Sequence, residues 1–156
     1  MRGGMGQQPP AQPQGITIQG RRYVSTDFYV YEEDFSGLAA GNTQNGAINI
    51  QADSDFVVEK LAYFADVAAA GQTESSRVVP LITVQITDTG SGRNFVENPA
   101  PIPSLFGDGR LPFVLPEPRL FFARSTVQIQ VSNFDASQTY NLRLSFIGYK
   151  AYPLGQ

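Results

Sequence analysis

Two strictly alternating stretches near the C-terminus constrain this chain more than any other feature. In residues 125–132, Val127, Ile129 and Val131 alternate with Gln128, Gln130 and Ser132. In residues 140–146, Tyr140, Leu142, Leu144 and Phe146 alternate with Asn141, Arg143 and Ser145. A period of two sends one set to one face of an extended strand and the other set to the opposite face. Each stretch therefore needs a core on one side and tolerates water on the other. Residues 133–139 between them are polar apart from Phe134 and Ala136 and suit a turn. The two stretches are expected to pair as an antiparallel hairpin, which makes the class β before any question of function arises.

Elsewhere the pattern is less clean. Ile16-Thr17-Ile18-Gln19 reads as a short strand ended by Gly20. Residues 27–33 are rich in strand formers, with Phe28 and Val30 on one side and Tyr29 and Tyr31 on the other, so both faces are expected to be partly covered. Residues 37–46 read as loop, 47–51 as strand and 53–55 as turn. Residues 56–67 fit a helix face, yet Phe56-Val57-Val58 and the pair Tyr63-Phe64 favour a long strand. Residues 68–76 read as loop. Residues 78–88 read as a strand whose Ile82, Val84 and Ile86 face a core, with Pro80 at its start or on an edge.

Residues 94–118 carry six prolines, a density that excludes helix and central strand. The same segment holds Phe95, Ile102, Leu105, Phe106, Leu111, Phe113, Val114 and Leu115. It is too apolar for a solvated linker, so it is expected to be a long, ordered loop packed on its own core or on a neighbour. Seven to nine short strands without a convincing helix predict an all-β, antiparallel β-sandwich or barrel over residues 16–156, one domain. Residues 1–15 are mostly Gly, Pro and Gln. They cannot bury enough surface to offset their ordering entropy and are expected to form an arm with polyproline character at Pro9, Pro10 and Pro13.

Composition removes several chemistries. With no His and no Cys, the chain can build neither a Ser-His-Asp nor a Cys-His arrangement, nor a disulfide. A general acid or base at neutral pH would have to be a perturbed Asp, Glu, Lys or Tyr. The net charge of −3 offers no basic footprint for nucleic acid or for a membrane surface. No apolar run approaches the ~18 residues of a membrane span, and Arg2 is not followed by the apolar core of a secretory signal. Charged residues make up only 16% of the chain against ~25% in ordinary domains. The surface must be dressed in Gln, Asn, Ser and Thr, which suits faces covered by neighbours and also suits many secreted β domains.

The remaining candidates for chemistry are weak. Asp53-Ser54-Asp55 supplies two carboxylates but not the rest of a calcium loop. Glu32-Glu33-Asp34 is an acidic cluster, and nothing in the sequence sets it across a sugar cleft from Asp53 and Asp55. Gly107-Asp108-Gly109-Arg110 and Gly90-Ser91-Gly92-Arg93 lack the ending of a phosphate loop and read as turns. No catalytic, cofactor-binding or metal-ligating residue is assigned, and no cofactor is expected.

The run from Pro112 through Arg119-Leu120-Phe121-Phe122 to Val127, followed by Asn133 and by Leu144-Ser145-Phe146-Ile147-Gly148-Tyr149-Lys150, resembles virion structural proteins of tailed bacteriophages. In those, a proline-bounded apolar loop precedes a strand and the chain finishes on a Gly-Tyr-Lys-type strand. The resemblance covers the last third to half of the chain. It implies a jelly-roll-like sandwich without enzymatic activity, made in the host cytoplasm, that attaches to a phage capsid as a cement or decoration subunit. The implied partners are the major capsid protein or copies of the chain itself. A head–tail adaptor or tail protein, and a carbohydrate-binding or host-recognition sandwich using exposed Tyr, are the alternatives. The contact residues expected on this reading are Pro9, Pro10 and Pro13 in the arm. In the long loop they are Leu105, Phe106, Arg110, Leu111, Phe113 and Arg119.

Overall fold

The computed structural model describes Gly6, residues 15–68 and residues 78–154. Among these, alternation becomes ten strands and one helical turn. They run β1 (Ile16–Ile18), β2 (Arg21–Leu38), β3 (Thr43–Asn49), β4 (Asp55–Val67), β5 (Ile82–Asp88), β6 (Arg93–Asn94) and β7 (Ala100–Pro101). After the turn α1 (Ile102–Leu105) come β8 (Phe113–Phe121), β9 (Thr126–Asn133) and β10 (Tyr140–Pro153). Sheet A has the order β1-β2-β10-β4-β8; sheet B has the order β3-β9-β5-β6, with β7 also on β5. All neighbouring strands in both sheets are antiparallel.

With the short β6 and β7 taken as one, β2 to β10 make eight principal strands in the orders 1-8-3-6 and 2-7-4-5. Successive strands thus alternate between the layers except at the 4-to-5 hairpin, which stays in sheet B, and this is the winding of a jelly roll. The inward residues of the two sheets close one core. Phe56, Leu61, Leu144 and Phe146 from sheet A meet Val84, Ile86, Val127 and Ile129 from sheet B, each at most 1% exposed. Burying such a side chain contributes roughly 1.5–3 kcal/mol. The long strand expected over residues 56–67 is β4.

The expected hairpin between the last two strands does not form. β9 pairs with β3 and β5 in sheet B, whereas β10 pairs with β2 and β4 in sheet A. The two strands face each other across the core. Alternation fixes which side of a strand is buried, but two strands can share a core by facing as well as by pairing. The connection makes the difference. Asn133 donates its amide to Leu38 O (3.0 Å) and Gln138 O (2.8 Å), and the Phe134 amide bonds Leu81 O (2.8 Å). Asp135 accepts from the amides of Ser137 and Gln138 and from the Tyr140 hydroxyl. These bonds build an arch between layers rather than a tight turn.

The proline-rich segment is also more regular than expected. It contains the end of β6, all of β7 and α1, and most of β8. β8 is the outermost strand of sheet A, so a missing N–H on its free side breaks no ladder bond. Val58 pairs with Arg119 and Lys60 with Val114, so residues 115–118, with Pro116 and Pro118, bulge out opposite Glu59 alone. In α1, Pro103 sits in the first turn, where its missing donor would have no partner. Smaller differences concern ends: the loop expected over residues 37–46 shrinks to 39–42, and the strand expected from Val78 begins at Ile82.

Candidate functional site

The first notable region is built by the N-terminal hairpin. Gln19 (φ 48) and Gly20 (φ 79) occupy the two positive-φ positions of a type I′ turn joining β1 to β2. At the base, the β2–β10 register shifts between Tyr152 and Pro153. The hairpin lies over sheet A: Tyr23, Val57 and Ala151 form a second buried cluster, packed with Ile18, Leu120 and Tyr149. Its tip reaches the far edge, where Gln19 donates to Pro118 O (2.8 Å). Asp55, 4% exposed, fastens it. One carboxylate oxygen accepts from Arg21 (3.0 Å) and the Tyr23 hydroxyl (2.8 Å), and the other accepts from the Ala123 amide (2.8 Å). Burial, and then the bond to Asp55, pushes the Tyr23 hydroxyl up to about 12. The Arg21 guanidinium also lies 4.5 Å from the Phe122 ring centroid.

The tip borders a groove of about 680 Å³ along the flank where the two sheets part. β8 supplies one wall through Phe113, Leu115 and the Pro116-Glu117-Pro118 bulge. The β5–β6 turn and Phe95 supply the other wall, and Leu105 of α1 also lines the groove. Phe95 is held between two planar groups, the Phe121 ring at 5.8 Å and the Arg119 guanidinium at 4.3 Å from the ring centroid. Arg119 also donates to Asn94 O at 3.4 Å. Planar cation on aromatic over an apolar floor is the arrangement found at energetic centres of interfaces.

The outer face of sheet A continues from the hairpin as an apolar stripe. Phe28 pairs with Tyr149 and Val30 with Ile147, and the exposed Lys60 stands between Ile147 and Val114. Phe28 is 77% and Val114 61% exposed. Beyond the stripe, Arg143 donates to both oxygens of Asp34 and approaches Glu32 at 3.9 Å. Glu33 points the other way, beneath Gly46. Burial, then the charge of Asp34, raises its carboxyl above the ordinary range. At the sandwich end, burial would lower the Lys150 ammonium. The bond and charge of Asp53 outweigh that and hold it above its ordinary value. The acidic cluster is thus split between the two faces of one strand, and Asp53 and Asp55 serve different partners.

Of the expected contact residues, Leu105, Phe113 and Arg119 come together in the groove. Arg110 is exposed and Leu111 is 79% exposed, on a separate turn that Asp108 holds by accepting both their amides at 2.9 Å. Phe106 is 1% exposed and edge-on to Phe146, so the core takes it and it offers a partner no surface. Pro9, Pro10 and Pro13 lie outside the described residues. Sequence reasoning missed the stripe of Phe28, Val30, Ile147 and Tyr149 and missed Asp55 as a fastening point. The outward alternation of Phe28 and Val30 was the available signal for the stripe. Compared with known proteins, the chain matches no protein-family model, and no curated protein matches it either.

Proposed function

We propose that this chain is a non-enzymatic virion structural protein of a tailed phage, a cement or decoration subunit that docks on the capsid lattice through the outer face of sheet A. The observation that carries this reading is the apolar stripe of Phe28, Val30, Ile147 and Tyr149 on one outer face, with Val114 exposed beyond Lys60. The opposite face presents amides and hydroxyls. The jelly-roll winding supports it by analogy, since viral capsid domains and lectins share that winding. Standard interfaces bury ~1,200–2,000 Å² in total, and repetition over a lattice multiplies weak contacts.

Immunogold labelling of purified virions with antibody to the chain tests the reading. Label arrayed over the head supports it. Label confined to one vertex moves the protein to the head–tail adaptor class, and unlabelled virions overturn the virion assignment.

A further inference from the structure

We propose that the groove beside β8 receives residues 7–14 of a second copy of this chain, docked as a polyproline II segment. The groove is separate from the sheet A stripe, so the inference concerns contact between copies rather than attachment to a lattice.

Three observations point to this occupant. The first is chemical. Phe95, Phe113 and Leu115 line the groove, with the Arg119 guanidinium 4.3 Å from the Phe95 ring centroid, and aromatic-lined grooves take polyproline segments because that helix is preformed and loses little entropy on docking. The chain itself carries Pro9-Pro10-Ala11-Gln12-Pro13 between Gln8 and Gln14, without a formal charge. The groove is balanced too, with Arg93 and Arg119 against Asp88 and Glu117. The second is the nature of the edge. β8 ends sheet A, but Pro116 and Pro118 interrupt its outer side, so an added β-strand would lack partners where a polyproline segment needs no ladder. Eight residues in that form span on the order of 25 Å, close to the ~30 Å of a nine-residue strand such as β8.

The third observation selects a second copy over the chain's own arm. β1 runs from Ile16 toward the tip at Gln19, and the tip touches the groove at Pro118. Gly15 and Ile16 stand at the base of the hairpin, the end opposite the tip that touches the groove, so the chain's own arm would have to reverse direction to enter it. A neighbour's arm enters without that reversal.

The native chain has no cysteine, so engineered thiols report directly. Full-length Pro13→Cys and full-length Glu117→Cys are mixed under mild oxidation, with Pro13→Cys plus Asn45→Cys as the control pair. The expected result is a disulfide-linked dimer of the first pair forming roughly tenfold faster than the control. Adding Leu115→Asp to the groove partner, or Pro10→Ser to the arm partner, should remove the advantage. Equal rates for both pairs would overturn groove docking. Closure within one chain carrying both Pro13→Cys and Glu117→Cys, at a rate independent of dilution, would overturn the second copy as occupant.

Discussion

The outer faces of the two sheets grow from the same alternation and reach opposite chemistries. On sheet B, the outward positions include Thr43, Asn45, Asn49, Thr126, Gln128, Gln130, Ser132, Thr83, Gln85 and Thr87, and none carries a charge. Many satisfy one another across strands: Gln130 donates to Asn45 (3.2 Å), Thr126 to Asn49 (3.0 Å), and Thr43 bonds Ser132 (2.8 Å). On sheet A the outward positions hold the apolar stripe, the Arg143–Asp34 pair and a hairpin fastened over a small apolar cluster. A face whose polar groups are mostly paired already, Gln85 Oε1 excepted, gains little from a partner, and burying it risks leaving groups unmade. An apolar stripe gains from any covering. The outward positions of sheet B are thus uncharged, while sheet A carries both the apolar stripe and the exposed charges of Glu32, Asp34, Lys60 and Arg143.

Substitutions can break or sharpen this contrast. The largest effect is expected at Asp55. Asp55→Ala leaves the Tyr23 hydroxyl and the Ala123 amide without their acceptor and frees Arg21, so denaturant unfolding should show a loss of about 3 kcal/mol. Hydrogen exchange should rise in residues 16–23 and stay unchanged in β3 and β9. Next is Val57→Ala, which opens space beneath the hairpin and should cost about 1–2 kcal/mol, without effect on the sheet B core. Gln130→Lys on the opposite face should stay within about 0.5 kcal/mol of the parent in the same assay and leave particle binding intact. The smallest effect is a pH component. The amides of Ser137 and Gln138, then the Tyr140 hydroxyl, hold Asp135 below the ordinary carboxylate range. Its contribution is present above the unfolded pKa and lost as pH falls through the folded one. Acid unfolding of Asp135→Asn should therefore lack part of the stability decline that the parent shows below about pH 4.

The sequence revealed the class and most of the strands, because alternation is a local signal that each strand carries by itself. Strand partnership was not local. β9 and β10 looked like a hairpin, and only the bonds of Asn133 and Asp135 route them into opposite sheets. Proline density hid β8, since an edge strand can bulge around Pro116 and Pro118 while pairing on its other side. Part of the groove was legible, as Leu105, Phe113 and Arg119 stood out as apolar or basic residues in an irregular stretch. Phe106 looked the same in sequence and went to the core, because α1 turns it inward beside Phe146. Asp55 as a fastening point could not be read, since its partners lie 34, 32 and 68 residues away.

Thiol footprinting on assembled virions tests the division between the faces most directly. Phe28→Cys places a reporter on the stripe, and Asn45→Cys places one on the amide face. If the account holds, the position 28 thiol loses its maleimide reactivity when the protein joins the particle, and the position 45 thiol keeps it. Protection at position 45 with continued reactivity at position 28 would contradict it.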